Sequence, residues 1–373
     1  MFRFKFNNNN INRLINNVTV DSVQSFIARH RQLSNFKRNY SVAATSDVTD
    51  SQPQQQLSSK ALEHKRTRDQ VVTAFSNQLR LSIINLTKAA NVGKTKHGLN
   101  STETMQLGKM MSGVSLCASF LSDEERISAQ IKCGNRNPQY LYAEAIQVGE
   151  VRGYLVNNES IAEQEKDYRY RKENPPVGLF QFNKILYGQS KPVESTVELE
   201  DFTITTEFQR YFSLSEQVPT VISLEHEHDS DGTVTFNGGI LVQSLPTTPD
   251  STMQAVQERV KLFKIDTLLN KEKKSLEEIL KLIAPHPIEI IGSTFVDFFC
   301  RCSLKSFKSR LITLGLDEIK YLKQHNHDTL NCNYCNKKYV LQSQDFDDMI
   351  KSIETSPAST TTTTTPNNQN NKD

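Results

Sequence analysis

The chain has 373 residues and a net charge of +2, from 44 Lys and Arg against 42 Asp and Glu. That length suits two or three domains, and the charge balance excludes a global field drawing the protein to nucleic acid or to an acidic membrane. Tryptophan is absent, hydrophobic residues make up 36%, and no apolar run approaches the ~20 residues of a membrane span, so a soluble protein is expected.

Residues 1–46 carry seven basic side chains (Arg3, Lys5, Arg13, Arg29, Arg31, Lys37, Arg38) against one acid, Asp21, with scattered Phe, Ile and Leu. This is the composition of a mitochondrial transit peptide, and Arg38-Asn39-Tyr40-Ser41 resembles a processing site; the alternative is a disordered Asn-rich tail. Residues 47–62 are polar and Gln-rich, a linker, and order is expected from about His64.

The first elements follow. Leu79, Leu81 and Ile83 alternate with polar neighbours and predict a strand within Gln78–Leu86. Asn100 and Glu103 predict a capping box, after which Leu107, Met110, Val114, Cys117 and Leu121 recur at helical spacing. Cys117 lies on that stripe as a small buried hydrophobe, and Cys133, on a strand pattern, is structural too. Arg126–Lys132 alternates, and Leu141–Ile146 leads through Gly149-Glu150 into Val151–Val156, a hairpin.

Residues 157–176 are strongly charged, end in Pro175-Pro176 and predict a surface insertion. Strands are expected at Leu179–Leu186 and Thr196–Leu199, a helix at Thr205–Glu216, and strands at Thr233–Phe236 and Gly239–Leu245. Together these predict an α+β core over 63–247. Residues 248–290 read as a helical linker: Met253, Val256, Val260 and Phe263 form one narrow apolar stripe, and Ser275 with Glu278 caps a second helix that Pro285 ends. Short helices of this kind need a packing partner. The tail, 351–373, is Thr- and Asn-rich and cannot bury apolar area.

Between linker and tail, residues 291–350 hold the chemistry. Cys300 and Cys302 form a C-x-C, Cys332 and Cys335 a C-x-x-C, with 29 residues between the pairs. Clustering in one corner of a long chain points to metal binding in a reducing compartment. Four thiols so paired can bind one Zn²⁺ or close two short disulfides. His325 and His327 could substitute as ligands, but the paired thiols make a complete set and the histidines are expected in an exposed loop. A module of about 60 residues buries little core and needs such a staple. Arg301, Lys305, Lys308, Lys337 and Lys338 are near enough in sequence to offset the charge of four thiolates. Two rivals share the spacing: a constitutive zinc-ribbon interaction module and a thiol–disulfide oxidoreductase. A nucleic-acid ribbon would be basic, whereas 291–350 holds eight Lys and Arg against seven Asp and Glu.

Several segments carry a family likeness: Lys96-His97-Gly98-Leu99, Val151-Arg152-Gly153-Tyr154, the run from Tyr211 to Thr220, the run from Gly238 to Pro246, and Phe299-Cys300-Arg301-Cys302-Ser303 with the later Cys332–Cys335 pair. From about Asp69 to Ile350 the chain resembles the bacterial redox-regulated holdase chaperones, the thirty-three-kilodalton chaperonin family. The resemblance implies an N-terminal α/β core, a metastable helical linker and a C-terminal zinc domain. It implies that Cys300, Cys302, Cys332 and Cys335 bind zinc when reduced, and that oxidation joins Cys300 with Cys302 and Cys332 with Cys335, expels the metal and loosens the linker. An oxidised homodimer would then hold unfolded clients without ATP. Gly93-Lys94 and Gly108-Lys109 lack the preceding glycine of a phosphate loop, in keeping with a protein that is not an enzyme. The leader, the 157–176 insertion and the Thr/Asn tail depart from the family; a mitochondrial matrix address, or alternatively a cytoplasmic one, turns on the first of these. The runs Ser215–Thr220 and Gly238–Pro246 read as a helix-to-loop junction and a buried strand.

Overall fold

The computed structural model describes residues 68–122, 125–189 and 191–355. The leader, the polar linker, the expected start of order near His64 and the tail beyond Thr355 lie outside the described residues. Among the described residues no helix is long and apolar enough to cross a membrane.

Two sheets form the core. The first has the order β10–β1–β2–β9–β8, all antiparallel, from β1 (Gln70–Ser76), β2 (Leu79–Asn85), β8 (Thr220–His228), β9 (Val234–Ser244) and β10 (Glu289–Phe295). The second has the order β11–β5–β4–β3–β6–β7, from β3 (Arg126–Cys133), β4 (Tyr140–Ile146), β5 (Glu150–Val156), β6 (Gly178–Ile185), β7 (Val193–Glu198) and β11 (Asp297–Phe298). Among the described residues only β11 pairs in parallel, with β5. The fold is α+β, as the strand and helix patterns predict.

Helix α1 (Thr87–His97) leads into α2 (Ser101–Ala118), which has the predicted capping box of Asn100 and Glu103. Leu107, Met110, Met111 and Val114 of α2 lie in one buried cluster with Ile84 and Leu241 of the first sheet and Ile127, Ala143 and Phe182 of the second. The helix fills the space between the sheets so closely that a Cβ on Gly113 would come within 2.3 Å of the Phe208 ring. Asn237 crosses the same gap, its amide donating to Gly108 O at 3.1 Å and Ser112 Oγ at 2.9 Å. Hydrogen bonds of this kind offset the desolvation of a buried polar group and so help fix register.

Helix α5 (Ile204–Tyr211) and a wide turn at Phe212–Glu216, in the place of the helix expected at Thr205–Glu216, bury Phe208, Tyr211 and Phe212. Two expectations need correction. β8 follows the Ser215–Thr220 junction as a strand that the sequence reading does not predict, and the strands expected on either side of Asn237-Gly238 are one, β9. The two glycines there do not mark a turn: a Cβ on Gly238 would meet Ile84 O at 2.2 Å and one on Gly239 would meet Ser223 O at 2.4 Å, so they admit close neighbouring strands. The 157–176 insertion contains two short helices, α3 (Glu159–Gln164) and α4 (Tyr168–Glu173), capped by Asn158 and Asp167. Buried Arg136 ties it down by donating to the carbonyls of Arg171 and Asn174.

The outer face of the first sheet packs against α6 (Asp250–Leu262) and α7 (Leu276–Ile283), the helices read as a linker. Leu79, Leu81 and Ile83 of β2 meet Val256, Leu268, Ile279, Leu280 and Ile283 there. Ser275 and Glu278 form the predicted capping box. This is the partner that short amphipathic helices require.

Candidate metal centre

The chain reaches the site by crossing from one sheet to the other. β10 runs along β1, then β11 joins β5, with Phe299 N donating to Val151 O at 3.0 Å. The crossing passes the β4–β5 turn at Gly149, whose φ is +93° and where a Cβ would lie 1.9 Å from Phe295 O. Only glycine fits that turn. Cys300 is thereby delivered just beyond the end of a core strand.

Cys300 and Cys302 flank Arg301, whose guanidinium makes paired bonds of 2.8 and 2.6 Å to Glu150. In extended chain alternate side chains share a side, so the arginine turns away while both sulfurs face inward. Ser303 then caps α8 (Leu304–Leu311), and α9 (Leu316–Gln324) returns the chain to a hairpin of β12 (Thr329–Asn331) and β13 (Lys338–Val340). Cys332 and Cys335 occupy its turn, closed by Cys332 N to Lys337 O at 3.0 Å and Asn336 N to Cys332 O at 2.8 Å. Helix α10 (Ser343–Glu354) packs alongside, Lys308 of α8 bonding Asp345 at 2.7 Å.

The four sulfurs gather within 4.8 Å of one another. Cys300 Sγ lies 3.6 Å from Cys332 Sγ, and Cys302 Sγ 3.4 Å from Cys335 Sγ. A tetrahedron with ~2.3 Å metal–sulfur bonds has edges of about 3.8 Å, so the donor set fits one thiophilic cation such as Zn²⁺. Its electrostatics favour one. The hydrogen bond to Cys332 pushes the Cys300 thiol up to about 12, the same bond pulls Cys332 down, and burial pushes Cys335 up to about 11. Cys300 and Cys335 are thus held toward the neutral thiol, and a cation bound among the sulfurs would favour their thiolates.

A fixed cation beside the sulfurs is Arg152, with Nη1 3.8 Å from Cys300 Sγ and an ion pair to Glu144 at 2.5 Å. It lies 148 residues from Cys300, too far in sequence to be read as its neighbour. Of the five basic residues expected to offset the thiolates, Arg301 faces Glu150 and Lys308 faces Asp345, while Lys337 does line the site. Lys337 and Lys96 flank a cavity of about 500 Å³ open onto Cys300, Cys302 and Cys335. His325 and His327 stack on Tyr321 instead of joining the sulfurs, with centroids at 4.1 and 6.1 Å. Cys117 and Cys133 sit on α2 and β3, in or against the inter-sheet core, and burial pushes the Cys117 thiol up to about 12.

Between the paired cysteines, Tyr334 reaches back to the second sheet. Its ring meets Tyr142 and Tyr154 edge-on at 5.7 and 5.4 Å, the Arg152 guanidinium covers it at 4.0 Å, and its carbonyl is 3.0 Å from His97 Nε2. His97, Arg152 and Tyr154 all belong to segments that carry the family likeness, and their convergence on one tyrosine is visible only in three dimensions.

Comparison with known proteins agrees with this architecture. The family model described as Hsp33 protein matches residues 69–342. A 33 kDa chaperonin of Syntrophotalea carbinolica is 30% identical over 258 residues, covering 68% of this chain and 89% of the relative. One from Bacillus cereus (strain B4264) is 22% identical over 284 residues, covering 75% and 97%. The crystal structure of the 33 kDa chaperonin of Thermotoga maritima shares the fold, with a TM-score of 0.65 at 21% identity over 76% of this chain and 98% of that one. With a sulfur cluster beside a two-sheet core and a match spanning both, the chain belongs to the Hsp33 family of redox-regulated chaperones.

Proposed function

We propose that Cys300, Cys302, Cys332 and Cys335 hold one Zn²⁺ in the reduced protein and are the switch of a holdase that keeps unfolding clients from aggregating. The observation that carries this reading is the cluster of four sulfurs within 4.8 Å, built from two chain segments 29 residues apart. Bound there, the metal would supply the positive charge the thiolates lack and tether the Cys300–Cys302 strand end to the Cys332–Cys335 turn.

Oxidation joins Cys300 with Cys302 and Cys332 with Cys335. Each disulfide takes two electrons from a thiol pair, and a peroxide that accepts them with two protons leaves as two waters. The shortest sulfur distances run across the pairs, so the connectivity has a physical consequence. Cross-pair bonds would close loops of about 30 residues and keep the module stapled, worth about 4 kcal/mol against the unfolded chain. Bonds within the pairs close loops too short to replace the metal, and the two halves are free to part. Only the second outcome releases the module, and with it the helices on the first sheet. The open form pairs as a homodimer, works without ATP or a catalytic step, and acts in the mitochondrial matrix if residues 1–46 serve as a transit peptide.

Anaerobically purified protein should contain one zinc per chain. After peroxide at mild heat it should lose that zinc, show the two within-pair disulfides by peptide mapping, and suppress light scattering from a thermally unfolding client. Suppression before and after oxidation alike, with zinc retained, would instead identify a constitutive zinc-ribbon interaction protein; turnover in an insulin-reduction assay would identify an oxidoreductase.

A further inference from the structure

We propose that the cradle formed by Tyr142, Arg152, Tyr154 and His97 on the core is a binding subsite for an aromatic side chain of an unfolded client, occupied in the reduced protein by the chain's own Tyr334. The inference rests on the redox-holdase reading for when the cradle opens, but its chemistry stands on geometry alone.

Tyr334 shows what the subsite takes. Two tyrosine edges meet its ring at 5.4 and 5.7 Å, a guanidinium lies over the ring at 4.0 Å, and His97 Nε2 stands 3.0 Å from its carbonyl oxygen. Ring, face and backbone are each recognised by a separate group. Three of the walls have partners outside the cysteine turn. Tyr142 and Tyr154 are registered partners on β4 and β5, and Arg152 is held by Glu144, which also accepts from the Tyr142 hydroxyl at 2.7 Å. These groups are fixed by the sheet before any ligand arrives, which lowers the ordering cost of binding.

The occupant, by contrast, is placed where oxidation acts. Tyr334 lies between Cys332 and Cys335, so a turn that rearranges its sulfurs withdraws the ring. What then fits is a second aromatic ring with a free backbone carbonyl. Folded proteins bury such rings and unfolded ones display them, so the subsite discriminates by folding state. It lies on the second sheet, away from the face that α6 and α7 cover on the first.

The test uses the full chain and a fluorescein-labelled peptide with the sequence of residues 331–336, serines replacing both cysteines. Fluorescence anisotropy should show the peptide binding the oxidised protein at least about tenfold more tightly than the reduced protein, and losing that affinity when its tyrosine becomes alanine. Arg152→Ala should weaken binding by a similar factor; should that variant fail to fold, the peptide pair on the unmutated chain decides. Tyr334→Ala, kept reduced, should bind the peptide without oxidation because its cradle has no internal occupant. Equal binding of the tyrosine and alanine peptides to the oxidised protein and to Tyr334→Ala overturns the proposal. If that happens while oxidised protein still suppresses client aggregation, the cradle fails and the holdase reading stands. If peroxide leaves the zinc in place, the holdase reading fails, and the Tyr334→Ala arm decides the cradle by itself.

Discussion

Single side chains at the seams of this fold carry charge that packing alone would not tolerate. Asp69 is 2% exposed, and its carboxylate accepts from the Lys88 and Ala89 amides at 3.0 and 2.7 Å while its own carbonyl accepts from Val296. Burial outweighs those hydrogen bonds and pushes its pKa up to about 6 from 3.8. The folded state therefore binds a proton that the unfolded chain releases first. Stability from this group is fully present below about pH 4 and is lost as pH rises through 6, by up to about 3 kcal/mol. Urea unfolding of the wild type and Asp69→Asn between pH 4 and 7 should show the difference: the wild type loses stability relative to the variant over that window. Parallel curves would remove Asp69 from the account. The same balance of burial against partners sets the thiols, where sequence identified the four cysteines but not Arg152 or Tyr334 beside them.

Among elements, α6 and α7 differ in how firmly they hold. Helix α7 buries Leu276, Ile279, Leu280 and Ile283 on the first sheet, whereas α6 fully buries only Val256 and leaves Leu262 74% exposed. An element that buries so little opens locally at low cost. Leu280→Ala removes a fully buried side chain and should cost about 2–4 kcal/mol. In the reduced protein, amide exchange over 250–283 should rise while zinc content stays the same; unchanged exchange would mean these helices are not the yielding element. Both helices were legible in the sequence because their caps and stripes are local. β8 was not: its Val221, Ile222 and Leu224 make sense only against β9, and Gly238-Gly239 reads as a break until the neighbouring carbonyls, which an added Cβ would meet at 2.2 and 2.4 Å, are seen.

For the molecule as a whole, the layers run from the paired helices through the first sheet and α2 to the second sheet, with the cysteine module reached by a strand that belongs to both sheets' edges in turn. On the proposed switch, loss of the module would free surface at two places and give two opened chains apolar area to share. Sedimentation velocity should show monomer in the reduced protein and a concentration-dependent dimer after oxidation, reversed by thiol reductant; a monomer throughout would confine the response to single chains. By itself the sequence determined the α+β class, the capped helices and the four-thiol set, because caps, periodicity and cysteine spacing act over a few residues. Only tertiary structure decided which sheet each strand joins, that Arg152 faces a sulfur and that Tyr334 lodges among tyrosines. The last two pairings join residues more than a hundred positions apart, and their energy depends on burial and geometry that no local pattern encodes.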